Sequence, residues 1–242
     1  MTYEEFRKGV FQEPDTGVFI AFGDEAFENE AQLREAFEQA SSGLGMSQDG
    51  LIIHSPGGRD AKWGPTKALN LTYCVSTAFG SKYSKVVSAM NTAAISWENS
   101  GARINFIHVS SQDNNCNASN NNVLFDVRPV NSRGEYGARA FFPGHSRANR
   151  NILIDNTVLN PNSTYPSLAG ILGHELGHAL GFRHEHTRPE ARTCFESSDW
   201  RALTPYDPGS AMHYPKCNGT APTALYRLTD WDRHGARIAY PW

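Results

Sequence analysis

No dense run of lysine or arginine occurs in these 242 residues, and the formal net charge is only -3. Nucleic acid and anionic membrane surfaces are therefore poor candidates for the main partner, and neutral partners such as peptides fit better. No apolar run approaches the length needed to cross a bilayer. The opening Met1-Thr2-Tyr3-Glu4-Glu5 has neither the basic nor the apolar region of an export signal. EF-hand spacing and internal repeats are also absent. Cysteine is scarce: Cys74, Cys116, Cys194 and Cys217 are the full set, and none stands near a histidine at zinc-ligand spacing. Four cysteines allow three pairings, with free buried thiols as the alternative. The pairs Cys74 with Cys116 and Cys194 with Cys217 close loops of moderate size and are favoured, which suits a secreted or extracellular protein. Asn-x-Ser/Thr triplets begin at Asn70, Asn117, Asn162 and Asn218, but so short a pattern carries no argument.

What the chain does have is Gly173-His174-Glu175-Leu176-Gly177-His178-Ala179-Leu180-Gly181-Phe182-Arg183-His184. Four residues advance a helix by slightly more than one turn, so His174 and His178 share a face and can meet one metal ion. Glu175 points its carboxylate beside that metal, where a general base is needed, and is not itself a ligand. Gly181 tolerates the left-handed conformation that ends a helix, which lets the chain turn and return His184 as a third ligand. Three imidazoles leave the fourth position of tetrahedral zinc open, as in catalytic sites. A lone His-Glu-x-x-His also arises by chance, its histidines merely satisfied polar groups. The glycine and third histidine at fixed offsets separate the two readings.

This run is similar to the metzincin signature, and its continuation Glu185-His186-Thr187-Arg188 resembles the astacin family of zinc endopeptidases. Ser210-Ala211-Met212-His213-Tyr214 matches the family's methionine-containing turn. The chain departs from the family at Pro189-Glu190-Ala191-Arg192, which puts the contacts beyond Arg188 in question. The resemblance implies one catalytic zinc on His174, His178 and His184, with Glu175 as general base. It implies Met212 as a packing residue beneath the metal. Tyr214 would be a weak ligand at rest or a hydrogen-bond donor to the oxyanion. Glu185 would belong to a polar network that receives a newly freed N-terminus. His186, His213 and His234 are read as packing or surface residues, since the third ligand is already supplied.

Residues 1–61 differ in character: they are acidic, lack cysteine and end in the turn-rich Ser55-Pro56-Gly57-Gly58-Arg59-Asp60. Gly17 to Asp24 reads as an extended piece ending in a turn. Phe27, Glu30, Ala31, Leu33, Phe37 and Ala40 form a partly apolar helical stripe that needs a surface to pack on. An inhibitory pro-segment, acting as an intramolecular partner, is the leading reading. Astacin pro-segments resemble one another in a Phe-x-Gly-Asp element whose aspartate caps the zinc. Here Phe22-Gly23-Asp24 comes close, with Ala21 in place of the first phenylalanine. By that resemblance Asp24 is the fourth ligand of a latent form.

The remainder, 62–242, reads as one metallopeptidase domain with an upper part to about 181 and a lower part from 182. Strands are expected at 68–75, 104–109, 123–127, 138–143 and 151–155, and a helix at 82–97. The asparagine-rich loop 110–122 is expected to be solvated, with calcium at Asp113 a minor alternative. Ser167 is a plausible N-cap for the helix bearing His174, and Thr229 or Asp230 caps a final helix. The fold class expected is α+β: a metzincin-like domain with a twisted five-stranded mixed sheet, a zinc-binding helix and an irregular C-terminal part ending in a helix. An edge strand can take an extended peptide as a further strand, so protein or peptide substrates and a monomeric enzyme are expected. Two rivals remain from the residues alone: a non-enzymatic binding module with a structural zinc, and a zinc hydrolase acting on a non-peptide bond.

Overall fold

A computed structural model describes residues 2–42, 51–160, 167–220 and 226–242. The Asn162 triplet lies outside the described residues. The N-terminal segment opens with helix α1 (Tyr3–Lys8), held by a capping box from Thr2 to Glu5, and continues as strands β1 (Phe11–Gln12), β2 (Phe19–Ala21) and β3 (Glu25–Phe27). The strands pair antiparallel in the order β1-β2-β3, followed by helix α2 (Glu30–Ser42). Strand alternation gives β2 and its approach two apolar faces. Val18 and Ile20 pack with Ala26 against Tyr136 and Leu153, whereas Phe19 and Ala21 pack against Leu33 beside Tyr3, Phe6 and Phe27. The predicted stripe thus finds its surface, with Leu33 as its buried member and Ala31 left exposed, while Ala36, outside the predicted stripe, is also buried.

Strand β4 (Ile52–His54) pairs antiparallel with a strand from the far end of the chain, Trp200–Ala202. Leu51, Ile52 and Ile53 are fully buried, so residues from Leu51 onward are part of the main body of the molecule. Pro65, at the first helical position after Gly64, starts the short helix α3 (Pro65–Ala68). Ala68 therefore ends a helical turn, and the strand expected from 68 begins only at Leu71 as β5 (Leu71–Val75).

Helix α4 (Tyr83–Glu98) follows, then β6 (Phe106–His108), β7 (Phe125–Val130), β8 (Ala138–Arg139) and β9 (Asn151–Asp155). The five strands β5 to β9 form one mixed sheet in the order β6-β5-β7-β9-β8, parallel except for the antiparallel edge strand β8. β8 is shorter than the expected 138–143 because the chain turns inward after Arg139 and buries Ala140, Phe141 and Phe142. The loop 110–122 is also less solvated than expected. The Asp113 carboxylate is buried and accepts hydrogen bonds from Val75 N (2.8 Å) and Tyr83 Oη (2.5 Å), with His108 Nε2 at 3.0 Å. The Cys74–Cys116 disulfide ties this loop to β5, and Cys194–Cys217 closes the second favoured loop.

Helix α5 (Asn156–Leu159) leads toward α6 (Leu168–Ala179), whose N-cap Ser167 accepts from Gly170 N at 3.1 Å. β10 (Trp200–Ala202) and the terminal helix α7 (Asp230–Ala239), capped by Thr229, complete the chain. The core lies between the sheet and the α4 and α6 pair, joining Tyr73, Val127, Ile152 and Ile154 to Met90, Trp97, Leu172 and Leu176. Trp97 fixes the helix pair by donating from Nε1 to Gly173 O at 2.7 Å.

Gly177 is the narrowest point of this packing: a Cβ there would lie 2.4 Å from Met212 Sδ and 3.1 Å from Trp97. Alanine in a helix interior is favoured over glycine by about 1 kcal/mol. Gly177→Ala is nevertheless expected to destabilise the protein by about 1–2 kcal/mol through overpacking, lowering the thermal midpoint by roughly 2–8 °C. A calorimetric midpoint that stays put or rises would show that propensity, not close approach, governs the position.

Candidate metal centre

Helix α6 carries His174 and His178 one turn apart, and two glycine-dependent bonds then reverse the chain. Gly181 adopts φ 101°, its N–H donates to His178 O (2.8 Å), and Phe182 N donates to Gly177 O (2.9 Å). A side chain at 181 would be strained by that φ and would put a Cβ 2.1 Å from Ala61 O. β4 holds the returning strand through His54 N to Gly181 O (2.8 Å) and Arg183 N to Ile52 O (3.0 Å). His184 is thereby brought back beside the other two.

Each of the three imidazoles has its Nδ1 committed. His174 Nδ1 lies 2.7 Å from Ala211 O, His178 Nδ1 2.8 Å from Phe182 O, and His184 Nδ1 2.8 Å from Glu196 Oε1. All three partners are acceptors, so the Nδ1 atoms carry hydrogen and the Nε2 lone pairs are free to converge. His178 Nε2 stands 3.2 Å from His174 Nε2 and 3.3 Å from His184 Nε2. Zinc–nitrogen bonds of about 2.0–2.1 Å in a tetrahedron give an edge of about 3.3–3.4 Å. The donor set therefore fits a tetrahedral zinc ion in both spacing and tautomer.

Asp24, in the turn between β2 and β3, faces the same point. Its Oδ1 is 2.9 Å from His184 Nε2 and 3.5 Å from His178 Nε2, and its Oδ2 is 3.5 Å from His174 Nε2. Oδ1 is buried without a hydrogen-bond donor, as expected of an oxygen aimed at a cation. Burial works to raise its pKa, but the histidines, His184 first, hold it well below the usual carboxylate range. Asp24 and the three histidines together form a buried cluster whose donor atoms could hold a metal ion.

Glu175 is almost fully buried, and its Oε2 has no partner. Burial first, then the negative charge of Asp24, pushes its carboxyl well above the ordinary range. It lines a cavity of about 630 Å³ together with Asp24, Tyr136, His174, Tyr214 and Tyr226. Tyr214 stacks on His174 with ring centroids 5.6 Å apart, and its hydroxyl lies so close to Gly23 that a Cβ there would come within 2.7 Å.

Met212 is buried beneath α6 beside Gly177, and its carbonyl accepts from Glu185 N at 2.9 Å. The turn that carries it is pinned by Asp232 of α7, which accepts from Ser210 Oγ (2.5 Å), Ala211 N (2.9 Å) and Thr229 N (3.0 Å). Glu185 Oε1 accepts from Asp207 N at 3.0 Å, while Oε2 is buried without a partner and burial raises the carboxyl strongly. Beyond Arg188, where the family pattern lapses, Glu190 takes the guanidinium at 2.9 Å. His213 is buried against Tyr206 Oη at 2.8 Å, and His234 is exposed. His186 packs behind the cluster, its Nε2 3.0 Å from Glu196.

Several members were not signalled in advance. Glu196 orients His184 and His186, yet sits twelve residues past His184 in an irregular stretch. Arg183 is clamped between Glu25 (2.8 and 2.9 Å) and Glu196 (3.3 Å). Burial brings the Glu25 carboxyl up to about 7 against the pull of Arg183. Buried arginines next to zinc ligands have no characteristic spacing, and only the adjacency of Glu25 to Asp24 and of Arg183 to His184 could have drawn attention to them.

Comparison with known proteins agrees with this geometry. Residues 65–199 match the family model described as dual-action HEIGH metallo-peptidase. Part of the chain is 38% identical to zinc metalloproteinase nas-30 of Caenorhabditis elegans, covering 19% of this chain and 9% of that protein. A similar stretch is 38% identical to high choriolytic enzyme 2 of Oryzias latipes, covering 19% of this chain and 22% of that enzyme. The matched stretches thus span less than a quarter of either relative's length. The family match takes in β5 to β9, α6 and all three histidines, just over half of the chain, and so the protein belongs to the dual-action HEIGH metallo-peptidases and, with the zinc metalloproteinase relatives beside it, is a metzincin-like zinc metallopeptidase.

Proposed function

We propose that the chain is an astacin-like zinc endopeptidase held latent by its N-terminal segment. The observation that carries the reading is the meeting of three Nε2 atoms at tetrahedral spacing with an unpartnered buried carboxylate on the wall of the same cavity. His174, His178 and His184 hold the metal. Zinc, when bound, supplies a Lewis acid for the peptide carbonyl and a nucleophile at neutral pH. Glu175 accepts the proton released in the attack and delivers it to the leaving amine, a task suited to a carboxyl that burial raises above its ordinary range. Tyr214 donates from its hydroxyl to the oxygen on which charge develops. Edge strand β8 takes the substrate as a further strand, which sets its register before the carbonyl reaches the metal.

In the latent form Asp24 occupies the fourth position. Glu13, Glu25 and Glu28 anchor the same segment to Arg139, to Arg183 and to Ser146 with Asn149. The inhibitory leader is proposed within the expected 1–61, and the pairing of β4 with β10 supports a releasable part that ends before Leu51. The body that follows carries an upper part with the sheet and α6 and a lower part with the methionine turn and α7. Two disulfides support an extracellular site of action.

Zinc analysis with casein cleavage before and after limited proteolysis of the leader tests the reading. One zinc per chain, silence when intact and cleavage after trimming are expected. Bound zinc with no cleavage of protein or peptide after trimming would favour a structural zinc module instead.

A further inference from the structure

The latent segment leaves behind one site for which the catalytic scheme has no use. Arg139, the second residue of edge strand β8, is completely buried. Its guanidinium donates from Nε to Glu13 Oε1 at 2.8 Å and from Nη2 to Glu13 Oε2 at 2.5 Å. Nη1 reaches Asn151 O at 3.2 Å, and the Tyr136 hydroxyl donates to Glu13 Oε1 at 2.5 Å. Glu13 is presented by a tight turn, with its own N donating to Val18 O and Thr16 Oγ1 donating to its Oε2. Every carboxylate oxygen that meets Arg139 in the ion pairs and hydrogen bonds of the described residues belongs to Glu13, which lies in the part of the chain that leaves on activation.

Departure of the leader exposes a guanidinium shaped for a bidentate carboxylate, with Tyr136 as a third donor. The apolar shelf of Leu153 and Val130, which receives Val18 and Ile20 of the leader, is uncovered with it. The site is continuous with the catalytic cavity, because Tyr136 and Ala138 line that cavity and Ala138 adjoins Arg139. We propose that Arg139 and Tyr136 form a substrate-recognition site for a glutamate side chain followed by aliphatic residues, and that Glu13 mimics this feature of the substrate in the latent protein. The inference rests on the peptidase reading above and names the class of peptide it prefers. Recognition is by position: an extended substrate segment beside β8 places its carboxylate at Arg139 while the scissile bond lies at the metal.

Two experiments on the full chain test it. In Glu13→Gly the vacated carboxylate site should take up propionate, the missing part of the side chain. The thermal midpoint should then rise with propionate but not with propionamide at equal ionic strength. Adding Arg139→Gln to Glu13→Gly should remove that response. After limited proteolysis of the leader, long neutral peptides in which a single glutamate is moved one position at a time should show one position where kcat/KM exceeds the glutamine counterpart about tenfold or more. In Arg139→Gln paired with Glu13→Gln, a double variant that leaves no buried charge unpaired, that ratio should fall to about one, and Tyr136→Phe should reduce it in part. Cleavage with no favoured glutamate position overturns the proposal even if propionate binds. So does a ratio that survives loss of Arg139. If no peptide is cut by any form of the protein, the peptidase reading itself fails and takes the proposal with it.

Discussion

Replacing Glu175 with glutamine is expected to slow peptide hydrolysis by the activated protein about 10²–10⁴-fold while one zinc ion stays bound. The two halves of that result come from different atoms. Glutamine keeps the shape of the side chain but cannot take up a proton, so the step that needs a base fails. The metal would be held, as proposed, by Nε2 atoms whose tautomers are set by Ala211 O, Phe182 O and Glu196, none of which involves Glu175. Stability should be kept or improve, since a buried carboxylate oxygen without a donor is costly and the amide carries less of that cost. Measuring kcat/KM, zinc content and thermal midpoint on one preparation separates the outcomes. Hydrolysis within tenfold of the parent would remove Glu175 from the mechanism, and loss of zinc would make it a ligand instead of a base.

Asp24→Ala should have the second largest effect, and in the opposite direction: the untrimmed chain should gain activity. A buried carboxylate paired with a cationic centre is worth about 3–5 kcal/mol when one partner is removed, which corresponds to roughly 10² to 4 × 10³ in an equilibrium constant. Short peptides should therefore be cut at least about a hundredfold faster than by the intact parent. Protein substrates should gain less, because Glu13, Glu25 and Glu28 still hold the segment across the cleft. Trimming should bring parent and variant to the same rate. If the intact variant stays as silent toward short peptides as the parent, obstruction by the segment, and not Asp24 at the metal, maintains latency.

The histidine triad and Glu175 were legible because helical periodicity converts sequence spacing into geometry with little freedom. His174, His178 and the Gly181 reversal needed only local rules, and the presence of five strands, though not their order in the sheet, followed from local apolar alternation. The disulfides were readable for a related reason, since moderate loops leave few sensible pairings. Glu196, Arg183 and the Glu13 to Arg139 pair were not legible. Their partners are remote in sequence, Glu13 being 126 residues from Arg139, and nothing in either local pattern encodes the meeting. Short strands failed for another reason: Ala140 to Phe142 are apolar enough to extend β8, but the core on one side claimed them. The boundary at 61 followed turn-forming composition, whereas Leu51 to His54 belong by pairing to the body of the molecule.

The floor under the metal is fastened by Asp232, which lies on the last helix and holds both Ser210 and Ala211, the latter being the acceptor for His174. Chains emerge from the ribosome beginning at the N-terminus. Asp24 is therefore synthesised before the helix with its two histidines, and the residue that steadies the floor after both. If the N-terminal segment restrains the site as proposed, the restraint is made before there is anything to restrain, and a nascent chain has no interval in which a finished catalytic site precedes its own inhibitor.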